Sequence, residues 1–410
     1  MEPHLTAAEA SLLATADADR LLRRTLEWSA INTGTGNLDG LTRQAQLLVE
    51  ACAGLPGEVS LVDGTTVTKI DETGTETLVQ NGRHLVLKVR PDAERRLLLT
   101  GHMDTVFPAG SAFQHVVERE PGVLNGPGLA DMKGGLSVML EALTMFERST
   151  LAPIMGYDVM INSDEETGSA SSAGLISQLA QGKHAALTYE PATRPDGTLA
   201  GARGGSGNYS LTVRGRSAHA GRNPGDGRNA IVAAAALATA LKDLQSRDIP
   251  INPARIDGGS ANNVVPDLAI LRFNIRPRSH AAAAAFANAL DALIASIAGA
   301  HDVQISVHGG VSRAPKPLDA RAERLFTLVQ QSSKDLGQAI GRLDTGGVCD
   351  GNNIAACGVP VVDTMGVRGG AIHSADEFLI VASLAERARL SALVLHRLAA
   401  GGLDALATAA

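Results

Sequence analysis

Aromatic side chains and cysteine are scarce in this sequence: one tryptophan, three tyrosines, seven phenylalanines and three cysteines in 410 residues. The core must therefore come from small aliphatic side chains, which the 44 glycines and the long alanine runs also suggest. Cys52, Cys349 and Cys357 are odd in number and lack C-x-x-C spacing. That excludes a disulfide framework and points to a reducing cytoplasm, with each thiol read as a small buried residue. There is no excess of positive charge either. A formal net charge of −7 gives no reason to expect nucleic acid or an anionic membrane as a partner. No apolar run approaches the ~20 residues of a membrane span. The opening MEPHLTAAEASLLATADADRLL has no basic n-region, so it does not read as a signal peptide. A G-x-G-x-x-G after the first strand and a P-loop are both missing, which weighs against a nucleotide-binding module. No internal repeat is visible.

What is present is a change of rhythm along the chain. Two domains are expected at this length. RLLLTGH, YDVMINS and AALTYEP read as strands, with a helix over 133–147 between the first two. That alternation predicts an α/β domain with a mostly parallel sheet and helices on both faces. From Gly205 the order becomes β-α-β-β-α-β, the ferredoxin-like plan, and the α/β pattern returns later with VPVVDTMG as a strand. The division expected is a discontinuous catalytic domain, 1–203 and 316–410, holding an inserted domain, 204–315.

The ionisable residues fall at the ends of the predicted strands, where an open α/β sheet gathers its site loops. In order they are His102 and Asp104 (GHMD), Asp131 (GPGLADMKGG), Glu165 and Glu166 (NSDEETGS), Glu190 (LTYEPA) and His373 (GGAIHSADEF). Taken alone, each histidine is more often structural, and DEE is a common solvated turn. Their joint placement reverses that reading. Carboxylates so crowded would repel one another, whereas a pair of divalent metals suits imidazole and carboxylate ligands. Strand alternation puts His102 and Asp104 on one side, so one can ligate while the other orients it. His4, His84, His115, His184, His280, His301, His308 and His396 lack this context and are assigned to surface or core.

GHMDTVF, GPGLADMKGG, NSDEETGS, EPA, SAHAG and AIHSADEF, in this order over residues 100–377, resemble the dinuclear zinc hydrolases of metallopeptidase family 20. That family includes glutamate carboxypeptidases, acetylornithine deacetylase, succinyl-diaminopimelate desuccinylase and aminoacylases, and the overall spacing is most similar to the glutamate carboxypeptidase branch. The resemblance implies two divalent ions per chain, zinc first with cobalt or manganese as alternatives. Asp131 would bridge them, His102 and Glu190 completing one site and Glu166 and His373 the other. Glu165 would be the general base toward a water held between the metals, with Asp104 buttressing His102. A cis peptide at Asp131–Met132 is implied as well.

The inserted domain would act as a lid and dimerisation unit. His219 in GRSAHAG would reach the partner's site to hold the oxyanion, and Asn263, Arg276 and Arg313 would grip a substrate carboxylate. The implied activity is hydrolysis of an amide next to a free carboxylate, in a small peptide or N-acyl amino acid. A deacylase on the same machinery is the alternative. Arg368, five residues before His373, adds a cation near the site that departs from the glutamate carboxypeptidase pattern. A metal-binding protein without catalysis is disfavoured, because it needs no Glu165 beside Glu166.

Overall fold

The computed structural model describes residues 5–407, so His4 lies outside the described residues. A short helix, Ala7–Leu13, precedes two longer ones, Ala18–Ser29 and Leu38–Cys52, and each of these two begins at a side-chain cap. Asp17 and Asn37 accept the backbone N–H three residues on, which satisfies donors a helix start leaves free. They pack Leu21, Trp28, Leu41 and Leu48 into the main core.

The central sheet has six strands, ordered Glu58–Val62, His84–Val89, Met155–Asn162, Arg95–His102, Ala185–Thr188, Val361–Val362. The first two junctions are antiparallel and the other three parallel. Met155–Asn162 is buried along its whole length, as expected of a strand covered on both faces. The helix Gly134–Phe146 buries nearly every residue against this sheet. Gly135 allows its start to approach, since a Cβ there would lie 2.0 Å from the Tyr189 carbonyl oxygen. The VPVVDTMG strand is reduced to Val361–Val362, because the chain leaves the sheet to carry Asp363 and Thr364 toward the site.

A second sheet is antiparallel, ordered Ile251–Gly258, Leu268–Ile275, Ser206–Arg214, Gln304–Arg313. With the helices Ala230–Asp243 and His280–His301 it gives the β-α-β-β-α-β order read from the sequence. It has its own core, in which Tyr209 stacks on Phe273 at 4.8 Å and Phe286 meets both edge-on. His280–His301 is long and apolar enough to cross a membrane by composition, against the sequence expectation. Its alanines carry that hydropathy, while Phe286 and Leu290 anchor it to the sheet.

Small sheets escaped the sequence reading, among them the pairings of Leu199–Arg203 with Arg342–Thr345 and of Ala218–His219 with Val264–Val265. A four-stranded one joins Val117–Glu120 and Val123–Asn125 to Phe378–Ile380 and Gly369–Gly370. A hairpin, Val67–Ile70 with Glu76–Val79, lies on the open face of the second sheet. There Arg272 donates to the Ile70 and Asp71 carbonyls and Thr68 meets His308 at 3.2 Å. These strands are short or exposed, so no buried alternation marks them. The three cysteines are free; Cys52 and Cys349 are buried, but Cys357 is exposed, since it caps the short helix Asp350–Ala356 at the surface.

Candidate metal centre

Strand ends and the loops after them bring five side chains into two groups. His102, Asp131 and Glu190 have ligating atoms within 4.8 Å of one another, and so do Asp131, Glu166 and His373. Asp131 belongs to both. Its Oδ1 lies 3.2 Å from His102 Nε2 and its Oδ2 lies 3.1 Å from His373 Nε2. Glu190 Oε2 is 3.7 Å from His102 Nε2, and Glu166 Oε2 is 3.2 Å from His373 Nε2.

Each group is held from behind. His102 Nδ1 sits 3.0 Å from the Asp104 carbonyl oxygen, which can only accept, so Nδ1 carries a proton and Nε2 is the ring nitrogen turned to the cluster. The expected buttress is therefore Asp104's backbone; its carboxylate, 3.5 Å from Nδ1, has other work. It accepts from the Glu165 and Glu166 backbone N–H at 3.1 Å each and from Thr35 Oγ1 at 2.8 Å, fixing the acidic turn. The Asp131–Met132 peptide is cis. The buried Glu377 carboxylate accepts from the N–H of Gly128, Ala130 and Asp131, a role the sequence reading missed although AIHSADEF contains it. His373 stands on the open side with a left-handed backbone at φ +63°, which costs a non-glycine residue about 1–2 kcal/mol.

The electrostatics fit divalent cations. Burial, with the Asp131 charge, pushes Glu166 up to about 7, and burial raises Glu190 as well. Burial also opposes ionisation of Asp131, yet hydrogen bonds from two imidazoles hold it below the usual carboxylate range. Those bonds from Asp131 and Glu166 push His373 up to about 11. Glu166 Oε1 is buried without a hydrogen-bond partner among the described residues. An oxygen-and-imidazole donor set with an orphaned carboxylate oxygen is what hard or borderline divalent ions compensate.

Glu165 is not in either ligand group. Burial pushes it well above the usual carboxylate range, against the pull of Arg313. Arg313 Nη2 contacts Glu165 Oε1 at 2.7 Å and also reaches the Glu165 carbonyl, Ser169 Oγ and Asp350 Oδ1. Arg313, expected on a substrate carboxylate, thus braces Glu165, because the end of the Gln304–Arg313 strand abuts the acidic turn. A cavity of about 490 Å³ opens beside the cluster, lined by Asp131, Glu165, Glu190 and His373 and by Arg203, Arg276 and Arg313. Arg203 was not found from sequence; its guanidinium grips Asp363 through two bonds of 2.8 and 3.0 Å. Arg276 is exposed and held by Asn274 Oδ1.

Three expected residues lie elsewhere. His219 is exposed, its Nδ1 accepting from Gly221 and Arg222 N–H, and Asn263 is exposed in the turn just before Val264–Val265, the strand that pairs with Ala218–His219. Neither lines the cavity of this chain. Arg368 turns to Glu386 and the Pro195 carbonyl instead of adding a cation to the site. A C-terminal-helix carboxylate at hydrogen-bonding distance competes better for it than the open cavity does.

The chain matches the model of peptidase family M20/M25/M40 over residues 98–397. Carboxypeptidase G2 from Pseudomonas sp. (strain RS-16) is 28% identical over 376 residues, covering 90% of this chain and 87% of that protein. Succinyl-diaminopimelate desuccinylase from Halorhodospira halophila (strain DSM 244 / SL1) is 31% identical over 310 residues, 69% of this chain and 78% of that one. Among solved structures, a tripeptidase from Staphylococcus aureus superposes with a TM-score of 0.72 at 23% identity, covering 94% of this chain and 99% of that one. The M20 family metallo-carboxypeptidase Sso-CP2 from Sulfolobus solfataricus gives 0.70 at 14% identity, covering 92% and 98%. The structural likenesses speak to the fold, whereas the sequence match runs through every strand end that carries the cluster: the chain belongs to peptidase family M20/M25/M40, a family of metal-dependent hydrolases.

Proposed function

We propose that this protein hydrolyses an amide bond next to a free carboxylate, releasing a carboxyl-terminal amino acid from a small peptide or N-acyl amino acid. The observation that carries this is Asp131, whose two carboxylate oxygens each face a different imidazole. His102, Asp131 and Glu190 would hold one divalent ion, and Asp131, Glu166 and His373 a second, with zinc the first choice. Bound there, the two ions lower the pKa of the attacking water and polarise the scissile carbonyl. Glu165 takes the proton as water oxygen bonds to the carbonyl carbon, and returns it to the departing amine nitrogen as the C–N bond breaks. Arg276 is the cation left over for the substrate carboxylate, since Arg203 and Arg313 are engaged by Asp363 and Glu165.

Residues 204–315 form the lid and dimerisation unit in this reading. His219, away from its own cluster, would reach the partner's site and hold the oxyanion, while Asn263 would help grip the substrate carboxylate. A homodimer is then required for activity, and three free thiols suit a cytoplasmic setting. A second reading, N-acyl or diamino acid deacylation, is favoured by the desuccinylase relative and uses the same cluster. Mass-spectrometric screening of zinc-loaded protein against N-acyl amino acids and dipeptides tests the proposal. Release of free amino acid from carboxylate-bearing amides is expected. No turnover at full metal content would sink it.

A further inference from the structure

Two cavities meet the ligand cluster, and they differ in charge. The one of about 490 Å³ holds three arginines. The other, about 670 Å³, adjoins at Glu166 and is lined by Thr35, Thr105, Val106, Pro108 and Ala109; Glu166 is its sole charged lining residue. Thr35, Gly36 and Thr167 also line a third cavity of about 670 Å³, which runs between the 67–79 hairpin and the open face of the second sheet. The second and third cavities therefore form one cleft leading away from the cluster. In its far part Arg272 is already engaged by Asp257 and two hairpin carbonyls, and His308 by Thr68. Lys69 and Asp164 also line that far part.

We propose that this cleft receives the acyl arm of the substrate and selects long, uncharged arms over short anionic ones such as succinyl. The inference rests on the amide-hydrolase reading above, in which the leaving amino acid sits among the arginines. The scissile carbonyl must lie over Asp131, so the acyl arm leaves past Glu166. A succinyl carboxylate is only two methylenes from that carbonyl. It would be placed in the near cavity, against Val106, Pro108 and Ala109, where no lining side chain offers a cation to pair with it, and an unpaired, partly desolvated anion is unfavourable there. A longer neutral arm passes Gly36 and buries itself against Val67, Ile70 and Val79 under the hairpin. Each buried methylene is worth about a fourfold gain in binding.

Gly36 and Gly310 provide the means to test it, because a Cβ at either position meets nothing within 4 Å. Gly36 stands at the junction and Gly310 in the far cavity. The measurement is kcat/KM of the zinc-loaded wild type for N-acetyl, N-succinyl, N-benzoyl and N-octanoyl derivatives of one amino acid. Octanoyl and benzoyl substrates should exceed the succinyl one by roughly tenfold or more. Gly36→Phe should lower the octanoyl-to-acetyl ratio by about tenfold, and Gly310→Trp should lower the octanoyl-to-benzoyl ratio. Circular dichroism checks that each variant folds, and either folded variant suffices. Preference for succinyl, or ratios that do not move, overturns the acyl-cleft inference while amide hydrolysis stands. Turnover of no member of the series overturns both.

Discussion

The central sheet and the short strand pair of Ala218–His219 with Val264–Val265 carry polar residues of the same kinds but treat them differently. At the edge of the central sheet, His102, Asp131, Glu166, Glu190 and His373 converge within a few ångströms, and Asp104, Glu377 and Arg313 hold that cluster and the adjacent Glu165 from behind. On the short pairing of Ala218–His219 with Val264–Val265, apart from the second sheet, His219 and the adjacent Asn263 stand exposed with only local backbone contacts. The contrast separates a site completed within one chain from residues whose work, if catalytic, needs a second copy.

The sharpest way to break the first half of the contrast is Asp131→Ala. It should remove both metal equivalents, read by elemental analysis, and leave His102, Glu166, Glu190 and His373 crowded without their shared partner, lowering the melting temperature. One metal retained at full affinity would end the bridging assignment. Next, Glu165→Gln should keep its metals while kcat falls by about 10²–10⁴-fold, the usual scale of general acid–base effects. Near wild-type turnover would remove Glu165 from that role.

Glu377→Ala leaves three N–H groups of the Asp131 loop without their acceptor and should weaken metal affinity by roughly 10–100-fold, measured by calorimetric titration. Unchanged affinity would make Glu377 merely structural. Arg313→Ala separates bracing from substrate capture: the contact with Glu165 predicts a fall in kcat at similar KM, whereas a carboxylate grip predicts a rise in KM.

The second half of the contrast is tested by mixing. His219→Ala should lower kcat with metal content intact. Combined with Glu165→Gln under free subunit exchange, about half the dimers are hetero and each keeps one working site, so roughly a quarter of wild-type activity should return. Verified exchange with no recovery would confine His219 to its own subunit.

The cluster itself was legible because His102, Glu166 and Glu190 stand at or just past the ends of buried central strands, where the sheet's geometry leaves little choice of direction. The second sheet was legible too, from alternation in GNYSLTVRG and the alanine-rich helices around it. The supports were not. Glu377 acts on a loop that lies 247 residues earlier, and Arg203 is defined by Asp363, which no spacing predicts. The contact of Arg313 with Glu165 was hidden because the two lie 148 residues apart. Short strands such as Val117–Glu120, exposed throughout, carry no hydrophobic period at all. Cys357 and Arg368 were misplaced for a related reason: sequence gives proximity along the chain, while a helix end or a competing carboxylate decides which way a side chain turns.

Titrating metal-free protein with zinc tests the central claim most directly. Two equivalents per chain should bind, with amide hydrolysis saturating as the second is filled and His102→Ala reducing the stoichiometry. Saturation of binding and activity at a single equivalent, unaffected by His102→Ala, would contradict a centre shared through Asp131.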